Sequence, residues 1–351
     1  MKHEFYMQRC LELAAKGAGR VAPNPMVGCV IVHDGHIIGE GWHQQYGGPH
    51  AEVNAIRSVE KEALLKQATL YVSLEPCSHF GKTPPCSDLI IEKQIPYVVI
   101  GCMDENPVVR GRGVQKLIEH GVDVKIGVLE KESRHLNRRF FTAMVKQRPY
   151  ILLKWAQSAD GFIDHDRDQN NGERAIVSSP EAHLLVHRWR SEEAVILVGT
   201  NTVIADDPQL TVRLVEGPNP VRLTFDRRER IPPYAKILDA TAPTIIFHEG
   251  AHYHTDRAEY IPIDFNGDPI REALAVLHER KFLSVLVEGG AAILNKFLAA
   301  NLWDEARVFV SQNDFSAGVK APEISNSPAE KQTVGPDELR IYYNETPASI
   351  L

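Results

Sequence analysis

The sequence predicts two consecutive α/β domains, at residues 1–147 and 148–351. The chain has 351 residues, and at about 100–200 residues per domain this length favours two domains. Apolar strand patterns alternate with helical patterns in both halves, which is typical of sheets flanked by helices. A charged helical pattern ends at Arg148-Pro149, where a new apolar strand begins.

The first half is predicted to form one sheet with helices around it. It opens with an amphipathic helix within residues 1–17, for which Phe5, Leu11, Ala14 and Ala15 are the expected core positions. The other predicted elements are strands Val27–Val32, His36–Glu40, Ala68–Leu74, Tyr97–Gly101 and Val122–Ile126, and helices Ala51–Val59, Ser87–Gln94, Val114–Glu119 and Glu130–Lys146.

The second half alternates in the same way and predicts a second sheet. Its predicted strands are Tyr150–Trp155, Ala194–Gly199, Val221–Phe225, Thr244–His248, Phe282–Val287 and Ala306–Val310, and its predicted helices are Pro180–Arg190, Ile270–Arg280 and Ala291–Ala299. The two halves do not resemble each other, and no internal repeat is visible.

Composition excludes several classes of protein. With 43% hydrophobic and 24% charged residues the chain is neither disordered nor fibrous. Its formal net charge of −7 disfavours a general nucleic-acid binder. No apolar run approaches the ~20 residues of a membrane span, and no secretory signal is visible, so the cytosol is the expected compartment.

The cysteines are concentrated in the first third of the chain. In a long chain expected in the cytosol, they predict metal ligands, reactive thiols or small core residues rather than a disulfide framework. They are Cys10, Cys29, Cys77, Cys86 and Cys102.

A zinc site is predicted where His50-Ala51-Glu52 is followed by Pro76-Cys77 and Pro85-Cys86. One imidazole and two thiolates make a three-ligand set whose fourth position is left for water, as in catalytic zinc sites. Zinc lowers the pKa of such a water from about 16 to roughly 7. Glu52 then takes a proton from the water and delivers it to a leaving amine.

Other interpretations of these residues stay open at this point. His50 and the cysteines could be separate core residues, or His79 could complete a purely structural zinc site. The spacing also departs from the short deaminase signature H-x-E…P-C-x-x-C, because Cys77 and Cys86 are nine residues apart. Cys10, Cys29 and Cys102 lie in apolar patterns and are expected to be inert.

Motifs in both halves resemble the bifunctional deaminase–reductase family of riboflavin biosynthesis, in the order found in that family. The resemblance covers nearly the whole chain. The matching segments are Ala22–Gly28, Gly41–His43, Pro49–Glu52, Leu74–Cys86, Ser158–Gly161, Val198–Arg213 and Val287–Gly290.

For the first domain the resemblance implies a cytidine-deaminase-like three-layer α/β/α fold. It implies hydrolysis of the 2-amino group of 2,5-diamino-6-ribosylamino-4(3H)-pyrimidinone 5′-phosphate. Asn24, His43, His79 and Lys82 match substrate-contacting positions of the family, and their chemistry suits a heterocycle and a sugar phosphate. A solvated loop is the alternative for Lys82.

For the second domain, which lacks a G-x-G-x-x-G motif, the resemblance implies a dihydrofolate-reductase-like fold that reduces the ribosyl group to ribityl with NADPH. Arg227 or Arg228 could bind the cofactor 2′-phosphate, or form an ordinary charged turn. Positions that match cofactor contacts are Ala156, Thr202, Asp206, Gly290, Ala291, Ala292, Ile293, Leu294, Asn295 and Lys296. Positions that match substrate contacts are Arg190, Leu210, Arg213 and Glu288.

The chain departs from the family in the polar segment before Pro180. Arg174 and Ile176 stand where the family often has Ser and Trp, and Ile cannot stack on a cofactor as an aromatic ring can. The departure motivates an alternative in which the second domain only binds a ligand. The segment after Gln312 also matches the family loosely.

The resemblance also bears on partners. It implies a small-molecule substrate and a homodimer formed through the second domain. Two further alternatives belong to other classes of protein: a nucleic-acid-editing deaminase, disfavoured by the negative charge, and a structural zinc module that acts in assembly.

Overall fold

The computed structural model describes residues 2–78, 84–106, 110–167 and 174–344. The chain divides into two compact units, Met1–Gln147 and Arg148–Leu351. Each unit has its own sheet and its own hydrophobic core. Within the described ranges, no helix is both long enough and apolar enough to span a bilayer.

The first unit is built on a five-stranded sheet. Its strands run in the order β2-β1-β3-β4-β5, with β1 antiparallel to β2 and β3, and with β3, β4 and β5 parallel. In chain order the elements are α1 (Lys2–Ala15), β1 (Gly28–His33), β2 (His36–Trp42), α2 (Ala51–Arg57), a 3-10 helix (Glu62–Gln67), β3 (Thr69–Leu74), α3 (Cys86–Glu92), β4 (Tyr97–Cys102), α4 (Arg112–Glu119), β5 (Asp123–Ile126), α5 (Glu130–Leu136) and α6 (Arg138–Lys146).

Both faces of this sheet are covered by helices. Because successive residues of a strand point to opposite faces, Cys29 and Ile31 of β1 pack with apolar residues of α2, α3 and α4. Val30 and Val32 pack with the apolar side of α1 on the other face. The result is the three-layer α/β/α arrangement that the resemblance implies.

The first helix has a different buried side from the predicted one. Leu11 and Ala14 are buried as predicted, whereas Phe5 is 67% exposed and Ala15 is exposed. The aromatic residue that enters the core is Tyr6, because it lies one position further along the helix, on the side that faces the sheet. The prediction was therefore wrong for Phe5 and Ala15.

The charged segment 130–146 forms two helices rather than the single one predicted. The chain breaks between α5 and α6 at Asn137, whose side chain is buried. Its Nδ2 donates to the carbonyl of Met26 at 2.8 Å, and its Oδ1 accepts from the amide of Met26 at 2.8 Å. At this break the Asn137 side chain therefore holds the backbone of Met26, two residues after Asn24.

The second unit is built on a ten-stranded sheet of order β11-β12-β10-β9-β8-β13-β6-β14-β17-β16, with a separate β15-β7 pair. Its elements are β6 (Tyr150–Gln157), β7 (Phe162–Asp164), α7 (Pro180–Glu192), β8 (Val195–Gly199), α8 (Thr200–Asp206), β9 (Val221–Phe225), a 3-10 helix (Lys236–Leu238), β10 (Thr244–His248), β11 (Tyr253–His254), β12 (Glu259–Pro262), α9 (Pro269–Glu279), β13 (Ser284–Val287), α10 (Ala291–Ala299), β14 (Glu305–Val310), β15 (Val319–Lys320), β16 (Glu330–Val334) and β17 (Asp337–Tyr343).

Both faces of the second sheet are also buried. Ile151 and Leu153 of β6 enter one apolar core, and Leu152 between them enters the other. Strands β6, β13 and β8 are adjacent and parallel, so their carboxyl ends lie at one edge of the sheet. Ligands of open α/β sheets bind at such edges, and the second candidate site lies there.

Candidate active sites

Three predicted zinc ligands meet in the first unit. His50 immediately precedes α2, Cys77 follows β3, and Cys86 is the first residue of α3. The Nδ1 atom of His50 lies 3.5 Å from Sγ of Cys77 and 3.3 Å from Sγ of Cys86. A tetrahedral zinc ion with bonds of about 2.0–2.3 Å holds its ligand atoms about 3.5 Å apart, so the three donors fit one zinc ion.

The electrostatics of this cluster favour a bound cation. The hydrogen bond with Cys86 lowers the pKa of Cys77 to about 4, and the hydrogen bond with Cys77 raises the pKa of His50 to about 8. The backbone amide of Cys86 also donates to Sγ of Cys77 at 3.3 Å. Among the described residues, the cluster contains three side-chain ligands; His79 lies outside the described residues.

Glu52 lies in the first turn of α2 and is only 3% exposed. Burial raises the pKa of its carboxyl group. A carboxyl group whose pKa lies nearer to neutrality can both accept and release a proton during a reaction. This burial suits the proton transfer predicted for Glu52, which stays a prediction.

A cavity of about 270 Å³ opens beside the cluster and Glu52. Five residues predicted for the site line this cavity, namely Asn24, His43, His50, Glu52 and Cys77. Other polar residues line it that the sequence did not predict. His79 and Lys82, which are predicted to contact the substrate, lie outside the described residues. The polar side chains that line the cavity are Asn24, His43, Tyr46, His50, Glu52, Glu75, Cys77, Asp104 and Asn106.

Asn24 is oriented by His43 at the cavity wall. Nδ1 of His43 lies 3.0 Å from the carbonyl oxygen of Pro49, and because a carbonyl only accepts, Nδ1 carries the proton. Burial lowers the pKa of His43, so the ring is neutral and Nε2 accepts from the Asn24 amide at 3.1 Å. This leaves Oδ1 of Asn24 as an acceptor for a ligand.

Glu75 joins the loop that carries Cys77 to Asp104 and to the start of α4. Its carboxylate is 4% exposed and accepts four backbone N–H groups at 3.0–3.3 Å. The donors are Asp104, Gly111, Gly113 and Val114. The sequence motif Leu74–Cys86 contains Glu75, but its role depends on residues that lie about 30 positions later in the chain.

The second unit contains a larger cavity, of about 530 Å³, at the carboxyl edge of β6, β8 and β13. Eight residues singled out in the sequence line it, namely Ala156, Arg174, Arg190, Thr202, Asp206, Arg213, Glu288 and Gly290. Three further titratable residues line it that the sequence did not predict, namely Lys154, His183 and His187. No spacing rule marks these three, because they come from β6 and α7 and meet only in the fold.

Arg190 and Glu288 form a buried pair in this wall. Two parallel contacts of 2.8 Å join the guanidinium to the carboxylate. Burial alone would raise the pKa of Glu288, but Arg190 lowers it to about 2. Arg190 also donates to the carbonyl of Thr211, so most of its donors are used within the protein.

His187 is held as a neutral ring beside the same wall. Its Nδ1 accepts from the backbone amide of Arg213 at 3.0 Å. Burial, then the charges of Arg190 and Arg213, lower the pKa of His187 to about 4. At neutral pH the proton of the ring is therefore on Nε2. The Arg213 guanidinium donates to the side chains of Gln209 and Thr211.

The glycine-containing turn before α10 approaches α8 closely. Gly290 caps α10, and its amide donates to Oγ1 of Thr202 at 3.3 Å. The side chains of Ile293 and Leu294 are buried in the core, so only their backbone could face a cofactor. Leu210 is likewise buried in a core cluster. Ala292 and Asn295 are exposed.

Three basic residues that the sequence offers for cofactor contacts line a third cavity, of about 470 Å³. Lys296 and both candidates for the 2′-phosphate, Arg227 and Arg228, lie there with Arg230. The Arg227 guanidinium contacts the carboxylate of Glu249 at 2.7 and 3.0 Å. The cavity therefore has an excess of positive charge that suits a phosphate.

The two departures from the family lie at the surface. Arg174 is 70% exposed at its side chain and lies 3.8 Å from Asp206 at the cavity rim. Ile176 is 82% exposed. The Asp206 carboxylate also contacts Arg167 at 2.6 Å. Arg174 therefore lies where it can contact a ligand, whereas the Ile176 side chain packs little.

Both units match known proteins. Residues 1–102 match the model of the cytidine and deoxycytidylate deaminase zinc-binding region, and residues 149–311 match that of the RibD C-terminal domain. The riboflavin biosynthesis protein RibD of Aquifex aeolicus (strain VF5) is 41% identical over 325 residues, which cover 91% of this chain and 89% of the relative. RibD of Escherichia coli (strain K12) is 37% identical over 328 residues, covering 89% and 88%.

Solved structures match over nearly the whole chain. The crystal structure of a diaminohydroxyphosphoribosylaminopyrimidine deaminase/5-amino-6-(5-phosphoribosylamino)uracil reductase from Thermotoga maritima has a TM-score of 0.88 at 40% identity, covering 97% of this chain and 98% of that chain. Acinetobacter baumannii RibD (form 1) has a TM-score of 0.86 at 33% identity, covering 97% and 98%. The predicted α/β fold classes are confirmed for both units.

Proposed function

Because the chain belongs to the RibD family of bifunctional riboflavin-biosynthesis deaminase–reductases, we propose that its two reactions are divided between its two units. Residues 1–147 carry the zinc-dependent hydrolytic deamination, and residues 148–351 carry the NADPH-dependent reduction. The alternative of a second domain that only binds a ligand is not favoured, since the similarity to the relatives continues through it.

The substrate of the first unit is 2,5-diamino-6-ribosylamino-4(3H)-pyrimidinone 5′-phosphate. The activity of the Thermotoga maritima relative supports this proposal. The observation that carries it is the grouping of three zinc ligands, a buried carboxyl group and the oriented amide of Asn24 around one cavity. The net charge of −7 argues against a nucleic-acid substrate.

In the first reaction His50, Cys77 and Cys86 hold the zinc ion. When bound, zinc supplies acidified water near neutral pH. Glu52 accepts a proton from the attacking water and donates it to the 2-amino group, which leaves as ammonia. Asn24 accepts an N–H of the pyrimidine through Oδ1, while His43 keeps its amide from rotating.

In the second reaction the second unit orients the sugar. When bound, NADPH would supply a hydride for C1 of the ribosyl group while the bond between C1 and the ring oxygen breaks, and that oxygen takes a proton from solvent. Thr202 and the Gly290 turn contact the cofactor, and Arg213 binds the sugar phosphate. Arg190 and Glu288 both stay charged in the wall of the larger cavity, because they form a buried bidentate ion pair.

Several further assignments belong to this proposal. His79 and Lys82 contact the deaminase substrate. Arg227 and Lys296 contact the 2′-phosphate of NADPH in the basic cavity. The backbone of residues 291–295, Ala156 and Asp206 complete the cofactor site, and Leu210 supports the substrate side from the core.

A coupled assay tests the proposal. The diaminopyrimidine phosphate is incubated with the full chain, with and without NADPH, while ammonia and the absorbance of NADPH are followed. Ammonia is expected in both mixtures, and NADPH oxidation is expected only after ammonia appears. The chain would be restricted to the first reaction if it released ammonia from the diaminopyrimidine phosphate but oxidised no NADPH, even when the deaminated intermediate was supplied directly.

Assembly and compartment are also proposals. We propose a homodimer formed through the second unit, by resemblance to the family. We propose that the protein works in the cytosol, because thiol ligands of zinc must stay reduced. All five cysteines are free.

A further inference from the structure

A second cluster of metal-ligating side chains lies in the second unit, outside the cavities described above. His252, His254 and Glu259 form this edge cluster. Nε2 of His252 lies 3.1 Å from Oε1 of Glu259, and Nε2 of His254 lies 3.7 Å from the same oxygen. The two imidazoles are half-exposed to exposed, at 50% and 64%, whereas the carboxylate is 17% exposed.

The hairpin of β11 and β12 explains why these three side chains meet. His252 immediately precedes β11 and His254 lies in it, and the centroids of their two rings are 5.0 Å apart. His254 is the direct cross-strand partner of Glu259. Tyr253 and Tyr260 pair next to them, and their rings stack at 4.2 Å with an angle of 10° between the planes. The stack holds the two strands in register.

We propose that the edge cluster binds a divalent transition-metal ion. A tetrahedral zinc ion with bonds of about 2.0–2.2 Å to nitrogen and oxygen sets its ligand atoms about 3.4 Å apart. The separations of 3.1 and 3.7 Å bracket that distance. They also resemble the 3.3 and 3.5 Å of the deaminase cluster in the same chain.

Arg280 orients the carboxylate of Glu259, the proposed oxygen ligand. It follows α9 and contacts both oxygens of Glu259 at 2.6 Å. These two hydrogen bonds hold the Glu259 carboxylate in one orientation beside the two imidazoles. Carboxylates that bind metals are commonly held by such outer hydrogen bonds.

The ligand chemistry limits which ions can bind. Two imidazole nitrogens and one carboxylate oxygen suit Zn²⁺, Ni²⁺, Co²⁺ or Cu²⁺, whereas Mg²⁺ and Ca²⁺ need oxygen-rich sites. Three protein ligands leave at least one position for water. The competing interpretation is that His252 only donates a hydrogen bond to Glu259 and His254 only lies near the carboxylate, in which case no ion binds.

The test uses the zinc-loaded full chain and Ni²⁺ as the probe. After equilibrium dialysis against Ni²⁺, elemental analysis counts both metals per chain. We expect one nickel in addition to one zinc. The double variant His252→Asn/His254→Asn should lose the nickel and keep the zinc, while the matched control His36→Asn/His120→Asn, which changes two exposed histidines of the first unit, should keep both.

A second measurement separates the edge cluster from the deaminase site. Co²⁺ added to the zinc-loaded chain should give visible bands without the near-ultraviolet charge-transfer bands of thiolate ligands. Arg280→Met should weaken nickel binding by about 10–100-fold, the usual effect of removing an outer-shell partner. Unchanged ammonia release and NADPH oxidation show that each variant is folded.

Two results would overturn the proposal. One is nickel uptake that stays at one ion per chain in the His252→Asn/His254→Asn variant, because the ion would then bind elsewhere. The other is the absence of any nickel uptake by the parent chain beyond its zinc. Both results leave the deaminase and reductase assignments untouched, because the edge cluster shares no residue with either cavity.

Discussion

The cavity beside the zinc ligands and the larger cavity of the second unit are built from different kinds of sequence feature. The metal site of the first unit consists of side chains of fixed identity at the ends of neighbouring elements, between His50 and Cys86. The cavity of the second unit is lined by residues of β6, β7, α7 and α8 and of the turn between β13 and α10, where two glycines leave the backbone as part of the wall. A metal demands particular ligand atoms, whereas a dinucleotide also accepts backbone N–H groups, so the first site leaves the stronger sequence signal.

The pKa values of buried carboxyl groups are shifted in opposite directions in these two cavities. In the first, burial raises the pKa of Glu52, and raises the pKa of Asp104 to about 6. In the second, Arg190 overcomes the effect of burial and lowers the pKa of Glu288 to about 2. The first cavity can therefore exchange protons near neutral pH, whereas Glu288 in the second keeps a fixed charge.

The largest expected effect comes from Glu52→Gln. Loss of the proton carrier should lower kcat for ammonia release by about 10²–10⁴-fold. Zinc content should stay at one per chain, and reduction of the supplied deaminated intermediate should be unchanged. Normal ammonia release would contradict the assignment of the proton transfer to Glu52.

Glu288→Gln tests the fixed charge of the second cavity. Removing one partner of a buried ion pair should lower the free energy of unfolding of the second unit by about 3–5 kcal/mol, and NADPH oxidation should be lost. Chemical denaturation with one spectroscopic probe in each unit measures the effect. The matched control is Glu279→Gln, which changes an exposed residue and should leave the free energy of unfolding unchanged. Equal destabilisation of both units by Glu288→Gln would contradict the prediction.

A smaller effect is expected for Glu75→Gln in the first unit. The amide offers one acceptor oxygen where the carboxylate offers two, so two of the four backbone N–H groups lose their partner. Zinc release to a chelator should become about 10–100-fold faster, with a higher KM for deamination and normal reduction. The control Glu60→Gln changes an exposed residue and should leave the rate of zinc release unaltered. If zinc release from the Glu75→Gln variant is also unchanged, the hydrogen bonds of Glu75 do not support the metal site.

The smallest effect is a difference between the two pH profiles. Asp104 gains a proton below about pH 6, which weakens the hydrogen bond that its Oδ1 accepts from the backbone of Asn106. Deaminase kcat/KM should therefore fall by up to about tenfold per pH unit below 6, and Asp104→Asn should remove this bend. The pH profile of reductase kcat/KM should be the same in the parent chain and in Asp104→Asn, because His187 and Glu288 of the second cavity titrate near 4 and 2 and do not depend on Asp104. A reductase profile that changes with Asp104→Asn would contradict this comparison.

The sequence predicted what depends on local patterns. Strands Val221–Phe225 and Thr244–His248 and helix Ala291–Ala299 have the predicted bounds, since each is a short apolar or amphipathic run between turn residues. The metal cluster was also predictable, because its ligand types and their order constrain the chemistry strongly.

What the sequence could not predict depends on long-range contacts. The break at Asn137 exists because its amide binds the backbone of Met26, and the role of Glu75 depends on amides near α4. Lys154 and His187 have no motif, and their place in a cavity follows only from the order of the strands. Strands β16 and β17 were missed because much of β16 is exposed and its pattern lacks apolar alternation.

X-ray absorption at the zinc edge of the full-length chain tests the central claim most directly. The account predicts two sulfur ligands at about 2.3 Å, one imidazole nitrogen at about 2.0–2.1 Å and one oxygen of water at a similar distance. The imidazole signal should indicate a single ring. Two imidazoles, as expected if His79 filled the fourth position, would contradict a catalytic site with an open position.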